Sequence, residues 1–312
     1  MGGVRVLLMP QFRHSSSPMT NRRNTRATAG LGADLRSAET AAYWDKHRET
    51  IRGLFHPVTT ALIDEARIAP GHVVLDVATG SGEPALSIAE VVGPAGQVVG
   101  IDPLPEMIAA ADRAAKERHF ENARFEVASA DRLPFDNDQF DAVVSRFGIM
   151  FFSSPVEGVR ELLRVLKPNR PIVFAVWGYH ERNPFHYVLA HVVDRYFPRA
   201  PLPRDAAEPF RYAEPGKLVS ILKAAGAEET NERLLKFNIE APIAGEDFWA
   251  LRLDMAEKLR ANVSSLPAEK SEALRREVLQ DLDPYSTGSG VSFPAEVLIV
   301  SATKFSTRND SN

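Results

Sequence analysis

The chain contains no cysteine among its 312 residues. This absence excludes disulfides, thiolate zinc sites, cysteine nucleophiles and the cysteine-ligated iron–sulfur clusters of radical enzymes. A protein without disulfides is compatible with a reducing compartment, and we expect this one to be cytoplasmic. No apolar run approaches the roughly 20 residues needed to span a bilayer, so stable membrane insertion is not expected.

The chain also lacks an excess of positive charge. It has 37 Lys and Arg against 41 Asp and Glu, a formal net charge of -4. Binding a polyanion requires a basic surface, so nucleic acid is not an expected partner. Compact clusters of histidine and carboxylate residues are missing from the sequence, and no metal is expected. With 44% hydrophobic residues the chain can bury one large core or two unequal ones. The composition leaves the oligomeric state open.

The N-terminal segment, residues 1–33, contains five arginines and no acidic residue. Such a composition cannot bury enough apolar surface to fold, so we predict that the segment is disordered. It also resembles a transit peptide in being rich in arginine and poor in acids. A start at Met19, which would leave out residues 1–18, is the favoured interpretation.

The most informative segment is Val73–Gly82, with the sequence VVLDVATGSG. An apolar strand delivers Asp76 and then breaks into a turn that contains Gly80 and Gly82. Because glycine has no Cβ, the backbone can turn sharply there and a ligand can approach the main chain closely. A second apolar run ends at Asp102, 20 residues after Gly82. This is the layout of a nucleoside pocket on a βαβ unit, in which Asp102 accepts hydrogen bonds from ribose hydroxyls.

A purely structural interpretation of these residues is also open. The two glycines can form a tight loop without any ligand, and Asp102 can cap the helix that begins near Pro105. A bare Gly-x-Gly pattern favours neither interpretation. Strand, glycines, helix and second acid together favour the nucleoside site.

The residues after the glycines indicate which nucleoside is bound. A pyrophosphate binds at a helix N-terminus through free N–H groups, and the Glu83 carboxylate would repel it. The third glycine of the dinucleotide fingerprint falls at Ala85, after Pro84. S-adenosylmethionine (SAM) has no phosphate, and its ammonium suits a carboxylate such as Asp76. These features favour SAM over NAD(P).

Four sequence blocks within residues 69–177 resemble those of class I SAM-dependent methyltransferases. The resemblance is to the methyltransferase type 11 group, which includes ubiquinone/menaquinone biosynthesis methyltransferases. The blocks are LDVATGSGEPAL, VVGIDPLPEMIAAA, ASADRLPFDNDQFDAVVSRFGIMFF and RELLRVLKPNRPIVFAVW. The family's usual Lys-Pro-Gly-Gly turn has Asn169 and Arg170 in place of the glycines. Asparagine tolerates positive φ, so we expect the turn to be kept.

The resemblance implies a set of residues around the methyl donor. Those along the methionine moiety would be Asp76, Ala78, Gly80, Ser81 and Gly82. Those around the ribose and adenine would be Asp102, Pro103, Met107, Ala130 and Asp131. Arg146 and Phe147 would line the floor near the methyl group, and S-adenosylhomocysteine would be the product.

Alternating strand and helix patterns predict a Rossmann-like, doubly wound α/β fold. The predicted strands are Val73–Val77, Val98–Ile101, Arg124–Ala128, Phe140–Ser145, Ile172–Trp177, Arg233–Ile239 and Ala295–Ala302. The predicted helices of the sheet are Pro84–Val92, Pro105–His119, Pro155–Lys167 and Pro215–Ala225. By resemblance, the sheet has seven strands and is mostly parallel, with the last strand antiparallel.

The remaining segments flank or interrupt this alternation. Residues 34–68 read as N-terminal helices that form a lid, and residues 69–177 as the SAM-binding core. Residues 178–305 complete the sheet and carry helical cap insertions at 178–212 and 244–283, the second with two helices. Residues 306–312 form a tail.

Five side chains are candidates for binding or catalytic roles near the methyl group. The ring of Tyr43 or Trp44 could cover the sulfonium, since an aromatic face attracts a cation, or could pack the helix onto the domain. His180 and His186 are candidate general bases, or else polar residues of a mobile cap. Arg146 could pair with an oxygen of the acceptor, or with a nearby Asp to hold the loop.

These features predict an enzyme that transfers a methyl group by in-line displacement to a small, partly apolar acceptor. The aromatic content of the cap favours an aromatic or quinone-like acceptor. Two alternatives stay open at this point. The same type of sheet could serve an NAD(P)-dependent oxidoreductase, or the chain could be a non-catalytic SAM-binding module.

Overall fold

The computed structural model describes residues 42–44, 46–198, 203 and 205–305. One mixed sheet organises this part of the chain. Its strands are β1 (Val73–Val77), β2 (Gln97–Asp102), β3 (Ala123–Val127), β4 (Ala142–Arg146), β5 (Pro171–Trp177), β6 (Ala227–Ala241), β7 (Ser286–Thr287) and β8 (Gly290–Lys304). The predictions for residues 1–33 and 306–312 lie outside the described residues.

Helices connect the strands and cover the sheet. They are α1 (Arg48–Leu54), α2 (His56–Glu65), α3 (Ala85–Val92), α4 (Pro105–Glu117), α5 (Pro155–Val165), α6 (Pro184–Tyr196), α7 (Lys217–Ala224), α8 (Gly245–Met255), α9 (Glu257–Ser264) and α10 (Ala268–Leu282). None of the helices in the described ranges has the length and apolar character that a bilayer crossing requires.

The strand order is β3-β2-β1-β4-β5-β8-β6, and the short β7 pairs with β8. Strands β1 to β5 are parallel, whereas β8 runs antiparallel to both β5 and β6. The predicted doubly wound sheet with an antiparallel last strand is confirmed, but within the described residues the sheet has eight strands rather than seven, because the two-residue β7 pairs with β8. Connections diverge between β1 and β4, so the carboxyl ends of these strands form the crevice where such sheets bind ligands.

The central strands are buried on both faces, as their unbroken apolar sequences predict. All residues of β5 after Pro171 are buried, and so are all residues of β1 after Val73. Strands of this kind need helices on both sides. Helix α5 supplies an apolar stripe that includes Val159 and Leu162, both fully buried. The resulting core holds the carboxyl ends of β1, β2 and β4 in fixed positions.

Strands β6 and β8 are each 15 residues long, about twice the predicted length. Strand β8 pairs with β5 only as far as Val297, opposite Trp177. Its pairing with β6 continues to Val291, opposite Ala241. The two strands therefore extend past the carboxyl edge of β5 as a two-stranded arm, residues 236–241 and 291–296. Helices α8, α9 and α10 lie between these strands in sequence.

Residues 244–283 form three helices rather than the two predicted. The break falls at Ala256, whose extended backbone (φ -128°, ψ 95°) separates α8 from α9. Pro267 then precedes α10. The prediction for the turn after α5 holds, because Asn169 has the positive φ of 58° that the turn requires.

Candidate active site

The turn after β1 is organised around the fully buried carboxylate of Asp76. Its Oδ2 accepts hydrogen bonds from Thr79 Oγ1 at 2.7 Å and from the backbone N–H of Ala85 at 3.1 Å. Its Oδ1 is buried and has no hydrogen-bond partner among the described residues. Burial raises the pKa of Asp76 from 3.8 to about 7. A buried acceptor without a donor is costly, so this atom is suited to receive a donor from a ligand.

Asp102, at the end of β2, closes the other side of the turn. Its two oxygens accept hydrogen bonds from Gly80 N at 3.1 Å and Leu104 N at 3.0 Å. Burial raises the pKa of Asp102 from 3.8 to about 6. A carboxylate has about four lone-pair sites, so two acceptor sites are left for hydroxyl donors.

The glycines of the turn meet two separate steric demands. Gly80 and Gly82 have φ of 55° and 107°, a region that strains most side chains. At Gly82 a Cβ would also press on Leu86 Cδ1 at 3.3 Å. Gly148, in the loop after β4, is tighter, since a Cβ there would lie 2.5 Å from the Cβ of Ala78. Ala78 itself has a φ of 58°. The backbone of β1's turn and of β4's loop are therefore in direct contact.

Glu83 is bound differently from what its sequence position suggests. Its Oε2 accepts a hydrogen bond from Ser87 Oγ at 2.6 Å, and its Oε1 pairs with Arg118 Nη1 at 2.9 Å. Arg52 Nε lies 3.6 Å from the same oxygen. These cations offset much of the charge that would repel a phosphate, so Glu83 is a weaker argument against a dinucleotide than the sequence indicates. Its role in the structure is to tie the first turn of α3 to α1 and α4.

Arg146 lies at the end of β4 and connects three elements. Its Nη1 donates to Thr59 Oγ1 of α2 at 2.7 Å, and its Nη2 donates to the carbonyl oxygen of Glu83 at 3.0 Å. The guanidinium carbon is 5.7 Å from the centroid of the Phe55 ring. Burial lowers the pKa of Arg146, while Glu83 and Asp76 act to raise it. The side chain thus already has protein acceptors for two of its nitrogens.

Phe147 joins this floor to the second half of the sheet. Its ring stacks on Trp177 with 4.4 Å between centroids and an interplanar angle of 1°. Trp177 in turn contacts His186 edge-on at 4.5 Å. Phe55 fills the space beside both, at 5.5 Å from Phe147 and 5.9 Å from Trp177. Phe147 therefore belongs to an aromatic cluster, and Arg146, the other candidate floor residue, borders it. The cluster consists of Phe55, Phe147, Trp177, Phe185, His186 and Phe210.

The two candidate histidines lie in different surroundings. His186, on α6, has an Nε2 that is buried without a hydrogen-bond partner in the described part of the chain. Burial, Arg252 and His180 lower the pKa of His186 well below 6.5, so the imidazole is neutral at physiological pH. His180 is exposed in the short helical turn 180–182, and its ring contacts that of Phe210 at 4.7 Å.

The residues predicted to form the lid contact the cap. The ring of Tyr43 lies 4.6 Å from the guanidinium carbon of Arg260, a residue of α9. His47 Nε2 and Lys46 Nζ reach Asp254 Oδ2 of α8, at 2.8 and 3.0 Å. Trp44 packs against the core, and its indole Nε1 is buried without a partner in the described ranges. A contact of either ring with a sulfonium stays a prediction.

The predicted adenine-side residues lie around the start of α4 and the loop after β3. Met107 and Ala130 are buried, whereas Pro103 and Asp131 are exposed. Ser81 is buried within the glycine turn. All five lie in segments that leave the carboxyl ends of β1, β2 and β3, the edge where the two carboxylates also lie.

Comparisons with known proteins agree with this geometry. Residues 74–169 match the family model of a methyltransferase domain. The ubiquinone/menaquinone biosynthesis C-methyltransferase UbiE of Ectopseudomonas mendocina is 32% identical over 158 residues, 50% of this chain and 60% of that protein. UbiE of Ectopseudomonas oleovorans is 35% identical over 131 residues, 41% of this chain and 77% of that protein. The chain belongs to the class I SAM-dependent methyltransferases.

The crystal structure of YcgJ from Bacillus subtilis shares the fold of this methyltransferase. It aligns with a TM-score of 0.52 at 19% identity, covering 80% of this chain and 99% of YcgJ. The matched segments leave parts of both the methyltransferase and its relatives uncovered: the match to the first UbiE spans 60% of that protein. Family membership sets aside the oxidoreductase as an alternative.

The described residues of the methyltransferase fit its donor, SAM. The unpartnered Asp76 Oδ1 is a suitable acceptor for an ammonium, and the free lone pairs of Asp102 suit the hydroxyls of a ribose. The turn between them carries no bulky side chain at Gly80 or Gly82, so it leaves room for a ligand against the backbone.

Sequence reasoning missed three side chains that the structure places in or beside the site. Thr79 binds Asp76, Thr59 binds Arg146, and Arg252 contacts the aromatic cluster. The first lies inside the recognised motif and the second in a helix with no polar pattern. Of the three, only Arg252 could have been noticed from sequence, because it is a charged residue between Leu251 and Leu253 in an otherwise apolar stretch of α8.

Proposed function

We propose that this methyltransferase methylates a small aromatic or quinone-like acceptor that binds against the aromatic cluster. The observation that carries the proposal is the stack of Phe147 on Trp177, because it would make the predicted floor of the donor site continuous with the cluster. Aromatic rings bind one another in stacked and edge-on arrangements, and both occur here. The names of the matched UbiE relatives, which refer to quinone biosynthesis, support the same acceptor class.

The residues of the chain act mainly by positioning. SAM supplies an electrophilic methyl group and leaves as a neutral thioether, so the protein need not protonate the leaving group. Holding nucleophile and methyl in line is worth up to roughly 7–11 kcal/mol. The cluster and the start of α6, where Pro184 and Phe185 are buried, are largely apolar, so an acceptor bound there would be shielded from water. This shielding favours the reaction of a nucleophile that water would solvate.

His186 is the better of the two candidate bases for an acceptor that arrives protonated. Its neutral imidazole has a free Nε2 directed into the interior, and it touches Trp177. We expect His186→Ala to lower kcat by about 10²-fold or more, the range of a lost general base, while the Kd of S-adenosylhomocysteine changes little. Steady-state kinetics and calorimetry measure the two quantities.

His180→Ala is the matched comparison for this variant. His180 is exposed, so its loss should change kcat much less. Equal turnover in wild type and His186→Ala, or equal losses in the two variants, would remove the base role of His186.

Arg146 is proposed to position the donor turn rather than to bind the acceptor. Lysine has no fork of donors, so Arg146→Lys cannot keep both the Thr59 and the Glu83 bonds. We expect kcat/KM to fall by about tenfold to the same extent for acidic and neutral acceptors, with weaker binding of S-adenosylhomocysteine. A loss confined to acidic acceptors would show instead that Arg146 contacts the acceptor.

Transfer of a radiolabelled methyl group from SAM to a metabolite extract tests the proposed function directly. The expected result is a labelled small molecule that partitions into organic solvent and absorbs in the near ultraviolet. Label found only in protein or nucleic acid would contradict the proposal. Quinones and their hydroquinones, supplied as pure compounds, then test the finer assignment.

A further inference from the structure

Arg252 of α8 is half-buried and has no anionic partner among the described residues. Its guanidinium carbon is 4.4 Å from the centroid of the Phe185 ring. Within the described ranges no carboxylate comes within ion-pair distance of it and no acceptor receives its hydrogen bonds. Burial lowers the pKa of Arg252 to about 10, which leaves it charged at neutral pH. A half-buried guanidinium without a protein anion can bind an anionic ligand without breaking an existing ion pair.

Two other arginines of the cap, Arg275 and Arg260, have acceptors. Arg275 of α10 pairs with Glu246 and, at 2.8 Å, with Glu272. Arg260 donates to the carbonyl oxygens of Leu253 and Asp254, at 3.1 and 2.9 Å. Arg252 differs from both, and it is the one that faces the aromatic cluster.

A second side chain with an unpartnered polar atom, His186, contacts the same Phe185 ring. His186 contacts Phe185 at 5.2 Å between centroids, and its buried Nε2 has no partner in the described part of the chain. Arg252 and His186 therefore both contact Phe185. Phe210 and Trp177 contact the His186 ring edge-on, at 5.2 and 4.5 Å. A cation and a neutral imidazole thus lie beside aromatic walls.

We propose that Arg252 forms a subsite for the carboxylate of an aromatic acid, with the ring of that acid bound against Trp177 and Phe210 beside His186. The guanidinium offers the planar pair of donors that a carboxylate accepts, while the unprotonated nitrogen of the imidazole stays available for the proton of the nucleophile. The acceptor class of the proposed methyltransferase is then narrowed to aromatic rings that carry an acidic group. This inference rests on the proposed function.

Equilibrium binding of 2-naphthoate and its neutral amide, 2-naphthamide, tests the subsite. Both are titrated calorimetrically into the full-length protein saturated with S-adenosylhomocysteine. We expect wild type to bind the acid at least about tenfold more tightly than the amide, because the bonds to the carboxylate are charge-assisted. Arg252→Met should lose this preference. Arg252→Lys, which keeps the charge, should retain part of it.

Arg275→Met is the matched control, since it removes an arginine from the outer surface of the same cap. It should keep the preference of wild type. Equal affinities for acid and amide in wild type, absence of binding by both, or an unchanged preference in Arg252→Met would each overturn the subsite. Failure of wild type to bind S-adenosylhomocysteine would instead contradict the donor site, and binding of S-adenosylhomocysteine by each variant shows that it is folded.

Discussion

Asp76→Asn is expected to stabilise the unliganded protein at alkaline pH and to weaken its binding of S-adenosylhomocysteine. Raising the pKa of Asp76 from 3.8 to about 7 corresponds to roughly 4 kcal/mol against the ionised form in the folded state. The amide can still accept the bonds from Thr79 and Ala85, but its buried NH₂ lacks a partner and costs roughly 1–3 kcal/mol. The charge effect is larger, so a net gain of about 1–2 kcal/mol is expected above pH 7.

The pH dependence gives this prediction its sign. Because folding raises the pKa of Asp76, the folded protein holds a proton that the unfolded chain loses near pH 3.8. The wild-type stability that comes from this proton is complete below pH 3.8 and is lost as the pH rises to about 7. The advantage of Asp76→Asn should therefore be present in urea unfolding at about pH 8 and absent at about pH 5.

Binding changes in the opposite direction in the same variant. The ammonium of the ligand loses a charged acceptor, so the Kd of S-adenosylhomocysteine should rise by about 10- to 100-fold. Asp136→Asn, which neutralises an exposed carboxylate, is the control and should change neither quantity. A variant less stable than wild type at alkaline pH, or one that binds as tightly, would contradict the account of Asp76.

Asp102→Asn is expected to weaken binding of S-adenosylhomocysteine by about 100-fold or more. The two oxygens of Asp102 accept from Gly80 N and Leu104 N on opposite sides. An asparagine can satisfy only one of these donors, because its NH₂ group then faces the other N–H. The variant therefore loses an acceptor for the ribose and loosens the glycine turn, and two bonds to a charged group are worth about 3–6 kcal/mol together.

Calorimetry with S-adenosylhomocysteine and with adenosine measures the loss of affinity. Both ligands carry the ribose, so both should bind more weakly. Asp136→Asn, which neutralises an exposed carboxylate between β3 and β4, is again the control. A change of less than about threefold for Asp102→Asn would mean that the ribose is bound elsewhere.

The donor half of the site could be predicted from sequence because its signals are local. The strand, the two glycines and Asp102 lie within 30 residues, and each position there can be filled by few residue types. Asn169 is a similar case: its tolerance of positive φ predicted the turn that the structure contains. Such features depend on the chain near them and little on the rest of the fold.

The acceptor side was predicted only in outline, since it depends on contacts between distant segments. Nothing near Arg252 in sequence shows that it lacks an anionic partner; this follows only when α8 packs against Phe185 of α6. The length of β6 escaped prediction because its sequence, AEETNERLLKFNIEA, is largely polar, as an edge strand exposed to solvent permits. Glu83 is a mixed case: its place beside the glycine turn was clear from sequence, but its pairing with Arg118 and Arg52 was not.

The two-stranded arm of β6 and β8 separates the donor site from the segment that can change between related enzymes. Residues 242–290 lie between Ala241 and Val291, which pair with each other, so the loop that these residues form is closed by the sheet itself. Replacement of this loop leaves the turn after β1 and its carboxylates untouched. Divergence between related enzymes is therefore expected to concentrate in this one segment, where a new acceptor preference can arise without a new donor site.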